Sequence, residues 1–441
     1  MTLFLPVWSQ VRELDAKLLV ACAVAERGMP AILGSRAPLS HYAHRLPRGI
    51  YLAKGGQREG TFFRILRRLG HEIALLDEAS LLRLPDEEVR EARYAPEAAS
   101  RVGLILAWGE DDARMLRATP TCAHASVVVT GNPRIDLTRP ELRDYFAPEA
   151  RALRDRWGDF VLLNTNFFGL NHYDPALSTE REVARGERTG SAYLRAFATH
   201  RLEIFERTRA LVGELARRLG KLALVVRPHP MESPEVWREA AGGERNVHVV
   251  QEGNILPWLL AARVSVANNC TTLVEARLLG KPGIHFEPLR DDALDFSLPG
   301  ALSHRASSAA EVAELAAIAL QGELRLSGSD AAQRLRAHLA ALEGPLAADR
   351  IADAVTRHPA VRSPQRSLPL RAVGAVESIA RAQLKRRAAH SRHGAELHAH
   401  RFPELTTREL ESRIARFAAL TSRFRGLRVD ELAPHLFRIS S

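Results

Sequence analysis

The chain has 441 residues, an apolar fraction of 46% and a formal net charge of +10. This length accommodates two or three domains, and the apolar fraction supports hydrophobic cores and excludes wholesale disorder. The longest apolar run, residues 255–267, contains Arg263 and is too short to cross a membrane.

The N-terminal residues and the cysteines indicate the compartment. Residues 1–17 have no basic start and no small-residue cleavage site, so we expect no signal peptide. Cys22, Cys122 and Cys270 are scattered along the chain and lack the spacing of metal ligands. This pattern is typical of a protein of the reducing cytoplasm.

Short apolar runs alternate with helical spacings through the first part of the chain. The predicted strands are residues 2–7, 31–34, 49–52, 72–76, 102–107 and 126–130. Helices are predicted over residues 12–28 and 62–69, where apolar residues recur at helical spacing. Strands that alternate with helices are typical of βαβ units and a parallel sheet.

The same alternation restarts after Gly158. Strands are predicted at 160–164, 222–226 and 264–267, and a long helix is predicted to end near residue 219. The polar segment 168–192 predicts a mobile loop or lid. No strand pattern continues beyond about residue 340, where helices are predicted over 345–355, 373–389 and 407–424.

These patterns predict an α/β protein with two Rossmann-like domains, a cleft between them and a C-terminal helical extension. We assign residues 1–150 to the first domain, 151–340 to the second and 341–441 to the basic extension.

Most of the positive charge lies in the C-terminal segment, because residues 362–430 contain 15 Lys/Arg and 6 Asp/Glu. Such a segment favours an anionic membrane surface or an acidic glycan as partner. Nucleic acid is disfavoured, since neither interleaved aromatic residues nor a binding motif accompanies the charge. Solvated arginine-rich helices are the alternative. The nearby histidines fit this basic surface rather than a metal site; they are His390, His393, His398 and His400.

An Arg-Pro-His-Pro loop at 227–230 follows the strand 222–226. Its prolines fix the backbone, so the imidazole of His229 is held in one place. Arg227 and His229 bring positive charge, and His229 is able to donate a proton to a phosphate group. An ordinary rigid turn with a surface histidine is the alternative.

A second polar loop at 268–272 follows the strand 264–267 and opens a helix. Thr271 and Thr272 offer hydroxyl and N–H groups to an anion, beside Asn269 and Cys270. Glu275, one turn along, is placed to accept from a ribose hydroxyl, although a capping box of Thr272 with Glu275 explains the same spacing. Ligands bind at the carboxyl ends of parallel strands, so both loops are expected at one nucleotide-sugar site.

Several segments resemble a family of bacterial surface carbohydrate biosynthesis proteins within the wider class of GT-B glycosyltransferases. The segments are RELDAKLLVACAVAERG at 12–28, VTGNPRID at 129–136, FVLLNTNF at 160–167, RPHPMES at 227–233 and NNCTTLVEARLLGKP at 268–282. The resemblance runs from about residue 2 to residue 350. The class also includes UDP-sugar 2-epimerases, and its bacterial transferases of sialic acid, Kdo and CDP-glycerol carry a His-Pro motif and a Ser/Thr-rich motif.

The resemblance implies that His229, Pro230, Thr271 and Thr272 bind the nucleotide phosphate. It also implies that the second domain binds the nucleotide sugar, that the first domain binds the acceptor, and that neither a metal nor a cofactor is needed. Asn164 and Asn166, at a strand end, are placed for sugar hydroxyls, and Lys54 begins a Lys-Gly-Gly loop suited to phosphate. The acidic runs at 110–112 and 291–295 are interpreted as a helix start and a loop.

Two acidic pairs compete for the role of general base. Asp77 and Glu78 resemble the acidic pair of sialyltransferases, although Ala79 replaces the glycine that follows it there. Glu13 and Asp15 begin the first helix, where Kdo transferases place a catalytic glutamate. The alternatives are favourable charge at a helix N-terminus for Glu13 and a solvated loop carboxylate for Asp77.

The sequence therefore predicts a cytoplasmic glycosyltransferase of surface polysaccharide assembly, peripheral at the inner face of the membrane. The favoured donor is a CMP-activated acidic sugar such as Kdo or another nonulosonic acid, with a UDP-sugar left open. The acceptor is a glycan or a lipid-linked glycan. A 2-epimerase-like enzyme and a non-catalytic assembly factor are the alternatives.

Overall fold

The structure is a computed structural model that describes residues 1–55, 59–82, 85–328, 330–359, 367–389, 399 and 401–441. The chain divides into two compact units. Unit 1 comprises Met1–Tyr145 and Leu335–Ser441, and unit 2 comprises Phe146–Arg334. The predicted α/β class is confirmed in both units. The predicted cleft between two domains stays a prediction.

Within its described residues, unit 1 forms one sheet with helices packed on it. The strands are β1 (Thr2–Val7), β2 (Ala31–Ser35), β3 (Gly49–Ala53), β4 (Glu72–Leu76), β5 (Leu104–Ala107), β6 (Ser126–Val129), β13 (Arg428–Ala433) and β14 (Leu436–Ser440). The helices are α1 (Gln10–Glu26), α2 (Arg36–His41), α3 (Gly60–Leu69), α4 (Asp86–Arg93), α5 (Pro96–Ala99), α6 (Glu110–Arg117), α7 (Pro133–Asp136), α17 (Ala347–Thr356), α18 (Leu368–Ala389) and α19 (Thr407–Thr421).

The strand order in unit 1 is β13-β14-β2-β1-β3-β4-β5-β6. Strands β1 to β6 run parallel, whereas β14 is antiparallel to β2 and to β13. The chain moves from β1 to β2 on one side and returns to β3 on the other. The order therefore reverses at β1, and in an open α/β sheet such a switch point forms a ligand crevice at the carboxyl ends of the strands.

The C-terminal segment groups with the first 145 residues in unit 1, whereas the sequence predicted a separate extension from residue 341. Its helices were predicted correctly, but β13 and β14 were missed. Strand β14 approaches β2 so closely that a Cβ atom at Gly34 would overlap the carbonyl oxygen of His435. The segment is also fastened by Asp136, whose carboxylate accepts from the amides of Ala347 and Ala348, both at 2.8 Å.

Unit 2 has a six-stranded parallel sheet in its described residues. The strands are β7 (Phe160–Asn164), β8 (Ala223–Arg227), β9 (Val247–Val249), β10 (Val264–Ala267), β11 (Gly283–Phe286) and β12 (His304–Ala306). The helices are α8 (Ala147–Trp157), α9 (Thr179–Ala184), α10 (Ala192–Leu219), α11 (Glu235–Ala240), α12 (Ile255–Ala261), α13 (Thr271–Leu278), α14 (Ser297–Ala301) and α15 (Ala309–Leu320), and α16 (Ala331–His338) leads back to unit 1.

The strand order in unit 2 is β12-β11-β10-β7-β8-β9. It is the dinucleotide-binding order, with the switch point between β7 and β10. The core lies between the sheet and its helices; its largest fully buried side chains include Phe160, Phe167, Phe205 and Trp237. The carboxyl ends of β7 and β10 therefore sit side by side on a rigid base.

The segment 168–192, expected to be a mobile loop or lid, is held against the loop that follows β8. His172 forms an antiparallel bridge with Glu232, and the amide of Tyr173 donates to the carbonyl of Met231 at 2.8 Å. The segment also contains α9. In the described part of the chain, no helix combines the length and the apolar character needed to span a membrane.

Candidate functional site

Polar side chains collect at the switch point of unit 2. The side-chain amide of Asn166, after β7, donates to the carbonyl oxygen of Asn269, after β10, at 3.0 Å. Asn164 is 3% exposed, and among the described residues neither atom of its side-chain amide has a hydrogen-bond partner. The same holds for Oδ1 of Asn166 and for Oγ1 of Thr272. Buried polar atoms are costly unless they are paired, so this cluster fits a polar ligand.

The first turn of α13 is suited to an anion. Cys270 is the N-cap residue, and its side chain makes no capping hydrogen bond to the helix. In the capping box considered as the alternative, Oγ1 of Thr272 would accept from the amide of Glu275, and among the described residues this oxygen has no hydrogen-bond partner. Thr271 and Thr272 occupy the first turn, where backbone N–H groups and the helix dipole favour negative charge. Glu275 is 2% exposed and packs on the inner side of the helix.

Asn269 adopts the left-handed conformation, with φ at +43°. Three hydrogen bonds hold it there. Its amide donates to Nε2 of His285 at 3.1 Å, its side chain donates to Asp295 at 2.6 Å, and its Oδ1 accepts from the amide of Phe296 at 3.1 Å. Burial lowers the pKa of His285, which keeps its ring neutral and able to accept. A non-glycine residue held in this conformation by its surroundings is typical of functional sites.

His229 is oriented by its own loop. The amide of Met231 donates to Nδ1 of His229 at 3.1 Å, which assigns the proton of the neutral ring to Nε2. The ring packs at 4.9 Å, between centroids, on Phe168. The carbonyl of His229 accepts from the side-chain amide of Gln251 at 2.8 Å. The loop after β8 thus presents a fixed N–H donor.

Glu232 organises this side of the site, a role that sequence reasoning missed. It is fully buried and accepts from the hydroxyl of Thr165 and the amide of Phe167, both at 2.9 Å. It also accepts from the amide of His229 at 3.2 Å and from the indole of Trp237 at 3.1 Å. Burial raises its pKa to about 7, although these donors act in the opposite direction. One carboxyl group therefore joins the loop after β7 to the loop after β8.

Arg227, predicted to contact phosphate, is 6% exposed and donates to the backbone carbonyls of Glu252 and Gly253. This guanidinium group holds the loop that follows β9. Pro230 lies in the turn beside His229. Nε2 of His200 lies 3.0 Å from Oδ1 of Asp295, beside Asn269. Asp295 belongs to the acidic run at 291–295, whereas the sequence did not single out His200.

A second polar cluster lies at the switch point of unit 1. Glu13, in the first turn of α1, accepts from Lys17 and from Lys54, both at 2.8 Å, and from the amide of Trp8 at 3.0 Å. Burial alone would raise the pKa of Glu13, but Lys17 and Lys54 hold it well below its usual range. Lys17 also lies 3.7 Å from Glu78.

The four predicted carboxylates therefore have different surroundings. Asp15 accepts from the hydroxyl of Tyr145 at 2.8 Å and pairs with Arg413 of α19. Asp77 pairs with Arg93 and accepts from the amide of Ala79 at 2.9 Å. In contrast, Glu78 is 6% exposed, and its Oε2 has no hydrogen-bond partner among the described residues.

Several residues that the sequence singled out lie outside the described residues. They are Gly56 of the Lys-Gly-Gly loop and the histidines His390, His393, His398 and His400. The acidic run at 110–112 begins α6, as expected. Within the described residues, no group of three or more His, Cys, Asp or Glu side chains is arranged to hold a metal ion.

The sequence matches no family model and no curated protein. Solved structures with some likeness include the wall teichoic acid polymerase TagF, at 10% identity and a TM-score of 0.44 over 70% of this chain and 71% of that one. HepE of Anabaena, in complex with UDP and glucose, has 12% identity and a TM-score of 0.46 over 81% of this chain and 99% of that one. UDP-GlcNAc 2-epimerase of Methanocaldococcus jannaschii, in complex with UDP-GlcNAc and UDP, has 14% identity and a TM-score of 0.45 with the same coverage. These values are too low to assign a function to this chain.

Proposed function

We propose that this protein is a glycosyltransferase that moves a sugar from a nucleotide-activated donor to a glycan or lipid-linked acceptor. The observation that carries the proposal is the polar cluster at the unit 2 switch point. There the fixed donor of His229 accompanies buried polar atoms of Asn164 and Thr272 that have no hydrogen-bond partner among the described residues, and Thr272 lies in the first turn of α13. Phosphate and sugar hydroxyls are the groups that such a cluster would satisfy.

Each part of the donor has a matching part of the cluster. The first turn of α13, with Thr271 and Thr272, would hold the phosphate through N–H and hydroxyl groups. The Nε2–H of His229 would stabilise the negative charge that develops on the leaving phosphate. Asn164 and Asn166 would bind sugar hydroxyls, with Asn269 fixed beside them. We favour a CMP-activated acidic sugar, because a His-Pro loop accompanies a Thr-rich loop.

Unit 1 would supply the acceptor and the general base. Glu13 is held ionised by two lysines, and a carboxylate with so low a pKa is a weak base. Asp15 and Asp77 are each paired with an arginine. Glu78 keeps an unbonded carboxylate oxygen in the described structure, so we propose it as the base. Glu13 would instead hold Lys54 and Lys17 in place.

Thermal-shift measurements on the full chain with CMP, CDP, UDP and GDP test the donor class. A ligand at 100 times its dissociation constant stabilises by about 2.7 kcal/mol, which is readily detected. We expect stabilisation by CMP that is lost in Thr272→Val and retained in Thr121→Val, a matched substitution in unit 1. Stabilisation by UDP without stabilisation by CMP would reject the CMP donor. No stabilisation by any nucleotide would reject the transferase.

Turnover separates the classes of enzyme. A transferase releases nucleotide only when an acceptor is present, whereas an epimerase converts UDP-GlcNAc alone. We place the reaction on the cytoplasmic side of the membrane, where nucleotide sugars are made. Loss of polysaccharide in cells that carry His229→Ala is expected of an enzyme, and full polysaccharide production would indicate an assembly factor.

A further inference from the structure

Unit 1 contains a cavity of about 690 Å³ that the donor site does not use. Its lining comes from the carboxyl ends of β1 and β2, from α2 and from the C-terminal segment. Trp8 and Arg36 line it from the strand ends, and Arg381 and Lys385 line it from α18. Part of the positive charge of the C-terminal segment is therefore directed into a cavity of unit 1.

Among the described residues that line the cavity, four are arginine or lysine and none is aspartate or glutamate. Arg36 pairs with Glu59, and its Nε is buried without a hydrogen-bond partner among the described residues. Arg381 and Lys385, one helical turn apart, have no carboxylate within ion-pair distance in the part of the chain that the structure describes. Arg401 adds a fourth guanidinium or ammonium group to the lining.

The electrostatics agree with this geometry. Burial, together with Arg381 and Arg36, lowers the pKa of Lys385 to about 8. Burial also lowers the pKa of Arg381. The charged forms are thus disfavoured by desolvation and by mutual repulsion, and an anion in the cavity would relieve both.

Part of the wall is aromatic. The Arg36 guanidinium lies 4.0 Å from the ring centroid of Trp8, and the rings of His41, Tyr42 and Phe402 also line the cavity. Apolar and aromatic walls with a few placed charges are typical of small-molecule sites, and they suit the apolar face of a sugar ring. Trp8 also joins this cavity to the acidic cluster, because its amide donates to Glu13 at 3.0 Å.

We propose that this cavity binds the phosphorylated sugar end of the acceptor, with Arg36, Arg381 and Lys385 on the phosphate and the aromatic wall against the ring. The identification of the ligand as the acceptor depends on the proposed glycosyltransferase function. The phosphate belongs either to a soluble sugar phosphate or to a lipid-linked one, and the chemistry of recognition is the same.

Calorimetry on the full chain, with saturating CMP present to occupy unit 2, tests the site. Glucose 1-phosphate is expected to bind, and glucose is not. Lys385→Gln and Arg381→Gln are each expected to weaken the binding of glucose 1-phosphate at least 10-fold. Lys385→Arg keeps the positive charge and is expected to bind glucose 1-phosphate like wild type. Arg425→Gln, at an exposed arginine of the same unit, is the control. Lys385→Gln removes no described contact, so its result does not depend on a folding defect.

The source of the phosphate is resolved by flotation with vesicles that contain a polyprenyl phosphate and with neutral vesicles. Binding to the former that depends on Lys385 supports a lipid-linked ligand, and binding of glucose 1-phosphate alone supports a soluble one. The proposal is overturned if wild type and Lys385→Gln bind glucose 1-phosphate and the polyprenyl phosphate vesicles with equal affinity. It is also overturned if glucose binds as tightly as glucose 1-phosphate. Stabilisation by nucleotides is measured in a separate experiment. Failure of the sugar phosphate test therefore does not reject the donor site in unit 2, and absence of nucleotide binding does not reject the cavity as a sugar phosphate site.

Discussion

The backbone amide of Met231 donates to Nδ1 of His229 over 3.1 Å. A neutral imidazole has one donor and one acceptor nitrogen, so this single bond fixes which nitrogen carries the proton. Gln251 holds the backbone of the same residue at 2.8 Å. The imidazole therefore presents Nε2–H without having to reorganise when charge develops on a leaving phosphate, which is the condition for effective electrostatic stabilisation.

His229→Ala removes this donor. We expect the rate of sugar transfer to fall about 100- to 1000-fold, as for the loss of one donor to a developing negative charge. Steady-state release of nucleotide in the presence of acceptor measures it. His124→Ala, at an exposed histidine of unit 1, is expected to leave the rate unchanged. A rate for His229→Ala within threefold of wild type would contradict the role of the imidazole.

Glu232 should make the stability of the protein depend on pH. Burial raises the pKa of Glu232 from the ordinary glutamate value of 4.5 to about 7, so the folded state binds the proton more tightly than the unfolded state does. The stability that this group contributes is therefore present at pH 4 to 5 and declines as pH rises through 7. Melting temperatures of wild type and Glu232→Gln at pH 5, 6, 7 and 8 measure the difference.

Glu232→Gln should be less stable at pH 5 by about 1–3 kcal/mol, because an amide nitrogen then faces the Trp237 N–H donor. The gap between wild type and variant should narrow as pH rises. Glu235→Gln, at an exposed glutamate, serves as the control. A gap that stays constant from pH 5 to pH 8 would show that Glu232 does not titrate in this range.

The sequence predicted well the positions where the strands that carry the unit 2 site end. Apolar runs before Asn164, Arg227 and Asn268 indicated three strands, and parallel strands must bring their carboxyl ends to one edge. The contact between Asn166 and Asn269 follows from that rule. The strands β9, β11 and β12 were missed, because runs of three or four residues give too little periodicity to recognise.

Contacts across long chain separations were beyond sequence reasoning. Glu232 follows a polar loop like many surface glutamates, and its burial depends on Thr165 and Trp237, from other elements. Likewise β13 and β14 are short and carry charges, and β14 finds its partner β2 at the opposite end of the chain. The only local signal for Glu232 was its position three residues after His229, where its carboxylate reaches back to that amide.

Substitution of Glu78 should lower the transfer rate, whereas substitution of Glu13 should lower the stability of the protein. We expect Glu78→Gln to lower the transfer rate about 100- to 10,000-fold, as for a lost general base, with little change in melting temperature. Glu13→Gln should instead lower stability by about 3–5 kcal/mol, because the buried ammonium group of Lys17 loses its carboxylate. Paired rate and melting measurements separate the two roles.

The loss of stability in Glu13→Gln should depend on pH. The pKa of Glu13 in the folded protein lies below the ordinary glutamate value of 4.5, so this stabilisation is present above that pH and is lost as pH falls. The deficit of the variant should therefore shrink in acid. Glu87→Gln, at an exposed glutamate of α4, is the control. If Glu13→Gln removed transfer without lowering stability, Glu13 would replace Glu78 as the base.

Asp136 caps α17 from another element, since Leu346, the N-cap residue, makes no side-chain hydrogen bond to the helix. Asp136→Asn keeps the shape but leaves one of the two amides, Ala347 or Ala348, facing an NH₂ group. We expect the free energy of unfolding to fall by about 1–3 kcal/mol, measured by urea unfolding, and the C-terminal segment to be cleaved faster by proteases in native conditions.

The effect of Asp136→Asn should depend on pH. Burial raises the pKa of Asp136 to about 7, so the loss of stability should be largest at pH 5 and smaller at pH 8. Asp144→Asn, at an exposed position, should change neither readout. An unchanged cleavage rate for Asp136→Asn would mean that the sheet pairing of β14 with β2 alone retains the segment.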